Sequence, residues 1–190
     1  MAGWNQVKWT QARQIAELID LDLSKLGDPE ADPQDGYRKL RDSDQLVVAV
    51  RYLGQALPRL EAIAWASHLL QQWSGKVTAG VSEQQALDSV QRWLEEPGDE
   101  YRRAAHKAGE RAAARSPERL LANAVFMSGG SISEPDLPPV QPPQQVCGSL
   151  AASAVLVAAY RTDSPAIALG QACDAGEKVA SAGAKGLTGG

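Results

Sequence analysis

The sequence predicts an all-α protein: an irregular multi-helix bundle of antiparallel helix pairs with an extended proline-rich connector. Three observations lead there. The 190 residues include 31 alanines and a single phenylalanine, and alanine is the strongest helix former and lets helices approach closely. β-Branched and aromatic residues, which favour strands, are sparse and scattered. Apolar residues recur with helical spacing in block after block, separated by proline and glycine.

The elements follow in chain order. Thr10 is placed to cap a first helix carrying Ala12, Ile15, Ala16 and Ile19 on one face. Asp20 to Asp35 reads as an acidic loop broken by Pro29 and Pro33, with a short helix from Gln34 to Arg41. Asp42 or Ser43 is expected to cap the next helix, whose stripe is Leu46, Val47, Val50, Tyr52, Leu53 and Leu57. Pro58 breaks the chain and suits the first turn of a helix carrying Leu60, Ile63, Trp65, Leu69, Leu70 and Trp73. Ser74-Gly75 is its expected C-cap.

Ser82 and Gln85 have capping-box spacing ahead of Ala86, Leu87, Val90, Trp93 and Leu94, and Pro97-Gly98 ends that helix. Asp99 is the expected cap of a helix lined by Tyr101, Ala104, Ala105, Ala108 and Ala112. Ser116-Pro117 pairs a cap with a first-turn proline, and the helix it opens closes at Gly129-Gly130. From Ser43 to Met127 the helices read as successive antiparallel pairs, with no fixed repeat period.

Ser131 to Gln144 differs. Five of the eleven prolines lie between Pro135 and Pro143, and proline lacks a donor and pins φ, so an extended connector lying across the body is expected. A core helix follows over about 145–160, then a last helix from Ser164-Pro165 to about Ala182. The domain reading is one helical domain over 1–182, with 131–144 as connector and a glycine-rich, disordered tail over 183–190.

Bulk properties bound the function. A chain of this length buries about two-thirds of the surface it would expose unfolded. The net charge of −4 argues against general nucleic-acid binding. Cys147 and Cys173 form no framework of disulfides, so a reducing, cytoplasmic setting is expected. The N-terminus lacks a basic start followed by an apolar run, and the most apolar stretch, Val146 to Tyr160, is too short to span a bilayer.

No motif of catalysis stands out, so an enzyme is not expected. His68 and His106 have no partner at metal-ligand spacing, and neither a metal nor a cofactor is implied. Asp28, Glu30, Asp32 and Asp35 faintly copy the start of a calcium loop, but Pro33 stands where glycine is needed and Lys39 where glutamate is needed. Ser128-Gly129-Gly130-Ser131 lies at a helix end, where a C-cap explains it better than a phosphate loop does. Two features remain as partner-binding candidates. Arg103, Lys107, Arg111 and Arg115 recur every four residues, flanked by Arg102, His106 and Arg119, and form a basic ridge; a solvated helix face is the simpler account. Trp65, Trp73 and Trp93 read as core. Trp4 and Trp9 either pack back on the body or stand exposed as partner anchors.

Three stretches carry a resemblance: ALPRLEAIAWA (56–66), ALDSVQRWLEEPGDEYRRAAHKAG (86–109) and SGGSISEPDLPPVQPPQ (128–144). Together they resemble an uncharacterised family of small proteobacterial helical proteins, over roughly Leu46 to Ala159. That resemblance implies an association with type VI secretion gene clusters and carries no catalytic residues. The helix pairs rich in Trp and Ala are also similar to a group of bacterial immunity proteins.

The expected function is therefore a non-enzymatic protein-interaction module, an accessory or adaptor of a bacterial secretion or effector system. The expected partner is another protein, not nucleic acid and not a membrane. Two alternatives stand beside it. One is an immunity-type protein that binds and blocks a toxin, with the basic ridge facing an acidic partner. The other is a small-molecule-binding helical domain, for which His68, Cys147 and Tyr160 are the residues to inspect.

Overall fold

The computed structural model describes residues 3–74, 80–134 and 136–187. Among these residues the regular structure is helical throughout: α1 (Ala12–Leu18), α2 (Pro33–Asp42), α3 (Leu46–Ala56), α4 (Arg59–Ser74), α5 (Val81–Glu95), α6 (Asp99–Arg111), α7 (Pro117–Phe126), α8 (Val146–Ala159) and α9 (Pro165–Ala182). The protein is thus an all-α, multi-helix fold. The expected C-cap at Gly75 lies outside the described residues.

α8 organises the rest. Its sequence, VCGSLAASAVLVAA, is apolar or small on every side, as suits a helix surrounded by others. It packs against α3, α4, α7 and α9. Successive pairing holds along α5, α6 and α7, but α3 and α4 scarcely meet each other and lie instead on α8. Small residues allow this: Gly54 of α3 faces Gly148 and Ala152 of α8 at backbone distance. The buried apolar residues from Trp4 to Ala180 form one connected core, and Ala86, Ala108 and Ala112 form a small satellite between α5 and α6.

Several helix starts differ from expectation. α1 is capped one residue later than Thr10: Gln14 Oε1 accepts from the N–H groups of Thr10 (3.0 Å) and Gln11 (3.1 Å). Asp42 and Ser43 finish α2; the chain then turns through Asp44 at φ 54° and α3 starts after Gln45. Gly80 rather than Ser82 is the N-cap of α5, and Gly98 rather than Asp99 is that of α6. In both places the polar side chain sits inside the first turn. Ser116 does cap α7, accepting from Arg119 N–H at 3.1 Å, with Pro117 in the first turn.

The two ends of the chain are tied to the body. The Tyr37 ring of α2 packs tilted against Trp4, centroids 5.0 Å apart, and its hydroxyl donates to Cys173 O of α9. Arg41 reaches Asp174 and Glu177 of α9, each at 2.6 Å. Ordered structure continues beyond Gly183, where a disordered tail was expected. Ala184–Leu187 makes a 3-10 turn, and Ala184 N–H donates to Glu61 Oε2 at 2.6 Å. Thr188 to Gly190 lie outside the described residues. No helix of the described residues is long and apolar enough to cross a membrane.

Candidate functional site

The first feature is the connector after α7. Its described residues carry no helix, in keeping with its prolines. It does not stretch across the body, however. Ile132 N–H donates to Val140 O at 2.8 Å, so the segment folds back on itself. Ser131 Oγ accepts from Ser133 N–H (3.1 Å) and Val140 N–H (3.2 Å), which closes the base of the loop. The side chains this loop carries are exposed, Leu137 at 60 % and Val140 at 52 %, while Pro142 is buried.

Of the expected basic ridge only Arg103 holds that base, together with the flanking Arg102. Arg102 is 4 % exposed, deep under α7. Its guanidinium lies 4.8 Å from the Phe126 ring and donates to Phe126 O (2.6 Å) and Ser131 O (2.7 Å). Arg103 donates to Ser131 O (3.1 Å) and Ser133 O (3.0 Å). The Asp99 carboxylate grips both arginines, at 2.5 Å and 2.9 Å. Those hydrogen bonds hold the Asp99 carboxyl below its ordinary range. Asp99 is not a cap because this pairing takes its side chain into the first turn. Arg115 falls past the end of α6, so the ridge is not continuous; Lys107 and Arg111 remain exposed on it.

The second feature is a cleft of about 310 Å³ where the N-terminal segment crosses the α3–α4 junction and the start of α8. Trp9 forms one wall, half-buried, with its indole Nε1 donating to Gln55 O at 2.8 Å. Gln55 is 7 % exposed, and its Nε2 donates to Gln145 O (2.8 Å) and Ser149 Oγ (2.9 Å). Lys8 and Arg59 line the same cleft, and no acidic residue does. Arg59 Nη1 donates to Ser128 O at 2.9 Å. Trp4, by contrast, is 9 % exposed against Tyr37 and is no surface anchor; its Nε1 is buried without a hydrogen-bond partner.

A further cleft of about 250 Å³ lies between α5, α7 and the end of α8, lined by Trp73, Glu83, Glu118 and Arg161. Glu83 Oε1 accepts from Ala113 N–H at 2.9 Å, and Glu118 Oε2 is buried without a partner.

The remaining candidates have structural explanations. Asp32 accepts from Gln34 N–H at the start of α2, Asp35 pairs with Arg38, and Glu30 pairs with Arg13. Among the described residues no cluster of His, Cys, Asp or Glu could hold a metal ion. His68 is half-buried; burial first, and then Lys178, lowers its pKa. His106 stacks on Phe126 at 4.1 Å and shares a hydrogen bond with Asn123. Cys147 is fully buried, and burial pushes its thiol up to about 12. Tyr160 is 61 % exposed. Neither His68, Cys147 nor Tyr160 lines either cleft. Trp65 donates to Ala172 O at 2.9 Å and Trp73 to Gln171 Oε1 at 3.2 Å, so both join α4 to α9 within the core.

Gln55 and Arg59 were not singled out by sequence reasoning. A signal was present for both: a lone glutamine inside an apolar stripe, and an arginine directly after a helix-starting proline. No curated protein and no solved structure matches the chain. One family model does match, over residues 36–180, from within α2 to within α9, and leaves out the segment bearing Trp9. The chain belongs to that family, described as a family of unknown function (DUF6931).

Proposed function

We propose that the protein is a non-enzymatic protein-interaction module that docks through the loop at 131–144. The observation that supports this reading is the clamp under the loop. A nearly buried arginine, a second arginine and a shared carboxylate fix its base, yet the loop presents Leu137 and Val140 to solvent. Ordering a segment costs roughly 1–2 kcal/mol per residue, and exposed apolar groups on an ordered loop return nothing until a partner covers them. A pre-shaped loop loses less entropy on binding, which is how rigid recognition segments gain affinity.

The finer reading places this module as an accessory or adaptor of a bacterial secretion or effector system. It rests on the resemblance of the SGGS-and-proline stretch to proteobacterial proteins of that setting. The test is a pull-down from the native cell with the full chain and with the double variant L137D/V140D, at low and high salt. A stoichiometric protein that survives high salt and is lost with the double variant supports the reading. Equal recovery with both chains, or none with either, overturns it. The identity of the captured protein, secretion component or toxic enzyme, separates an adaptor from an immunity protein.

A further inference from the structure

We propose that the cleft beneath Trp9 binds a small aromatic carboxylate bearing a hydroxyl or amino group. Charge is the first argument. The protein carries a net charge of −4, yet this cleft is lined by Lys8 and Arg59 and by no acid. Arg59 makes one hydrogen bond, from Nη1 to Ser128 O, which orients the guanidinium and leaves its Nε–Nη2 edge open. That edge is the fork that receives a carboxylate with two parallel bonds. The start of α4 lies at the same place: Ala62 is the first residue to bond back, to Pro58 O at 2.8 Å, so the preceding N–H groups lack helical partners. Their partial positive charge adds to that of the two side chains.

Gln55 is the second and independent argument. It lines the cleft, it is 7 % exposed, and both of its side-chain hydrogen bonds are donated by Nε2. Its Oε1 accepts nothing. It lies beside Gly148 on the cleft lining and is not sealed from solvent, so a ligand hydroxyl or amine can donate to it. Between the two polar ends, the Trp9 indole and Pro58 offer flat apolar surface for a ring. The volume of about 310 Å³ stands at the small end of ligand pockets and suits a one- or two-ring compound.

The experiment is a titration of the ¹⁵N-labelled full chain with 4-hydroxybenzoate, followed by NMR, with neutral 4-hydroxybenzamide as the comparison. Trp9→Phe identifies the Trp9 indole signal. Saturable movement of that signal and of the Gly148 amide with the acid is expected, with the amide compound binding at least about tenfold more weakly, as the loss of a charge-assisted bond implies. Arg59→Gln is expected to weaken the acid about tenfold on the same reasoning. Lys8→Gln, at an exposed position that holds nothing else, gives a smaller loss and shows that the effect does not come from misfolding. No movement at millimolar acid, equal binding of the two compounds, or indifference to both substitutions overturns the proposal. The L137D/V140D variant should bind the acid normally, so this result stands apart from the docking test.

Discussion

Gly54 of α3 and Gly148 of α8 meet backbone to backbone. A Cβ built on Gly54 would lie 2.6 Å from Gly148 O and 2.8 Å from the Ala152 Cβ. The crossing brings Gln55 within reach of Gln145 and Ser149 and forms the floor of the Trp9 cleft. Gly148→Ala should therefore force the helices apart and lower stability by about 1–3 kcal/mol, the usual cost of overpacking. Gly170→Ala is the opposite case. Its Cβ would meet nothing within 4 Å inside α9, and a gain of about 0.5–1 kcal/mol is expected from helix propensity. Thermal unfolding of the two variants checks both signs.

The same crossing shows how far the sequence could be read. Helix content and most helix limits were legible, because Ser116-Pro117, Pro97-Gly98 and the apolar stripes act locally. The partner of each helix was not. α3 and α4 are consecutive, and sequence order suggested that they pair; the glycine that lets α3 reach α8 lies far along the chain. A cap was missed where the polar side chain pairs within its own helix instead. Asp99 is the clear instance, since its carboxylate serves two arginines that hold a loop some 30 residues on. Of the candidate site residues, Trp9 lies at a cleft, Trp4 is in the core and Arg103 is engaged. Arg59 and Gln55 gain meaning only from the fold that brings Lys8 and Trp9 beside them.

Arg102 should be the costliest single loss among the basic residues of α6. Its side chain is 5 % exposed and holds two backbone carbonyls across the start of the connector. Arg102→Met keeps the stem and removes those bonds, leaving Phe126 O without this donor and Ser131 O with Arg103 alone. A loss of about 2–3 kcal/mol is expected, in line with hydrogen bonds to a charged group. Faster proteolytic cutting within 131–144 should accompany it. Lys107→Gln, on the exposed part of the same helix, should stay within about 0.5 kcal/mol. Equal effects of the two substitutions would remove the clamp from the account.

Acid should open the loop before it unfolds the body. The Asp99 carboxyl is held below the ordinary aspartate value of 3.8 by its hydrogen bonds to Arg102 and then Arg103. For a carboxyl whose folded value is lowered, the stabilisation is present above the unfolded value and is lost as pH falls through the folded one. The clamp is thus intact at neutral pH and releases on the acid side of 3.8. NMR signals of Ser131, Ser133 and Val140 should move in that window in the native chain. In Asp99→Asn the same signals should already be displaced at neutral pH and show no such titration.

The two cysteines should be silent toward alkylation in the folded protein. Only a thiolate reacts well, and burial pushes the Cys147 thiol up to about 12 even though Arg59 pulls the other way. Cys173 is raised as well, chiefly by burial, with Tyr37 and Arg41 opposing. Both side chains are fully buried, so access fails together with ionisation. Iodoacetamide at mildly alkaline pH should label neither in the native state and both in denaturant, at a rate set by unfolding in between. Gly148→Ala, which loosens the α3–α8 contact next to Cys147, should speed labelling at that position first. Rapid native labelling of Cys147 would instead mark an accessible, ionised thiol beside Arg59, and with it a nucleophile that the buried geometry rules against.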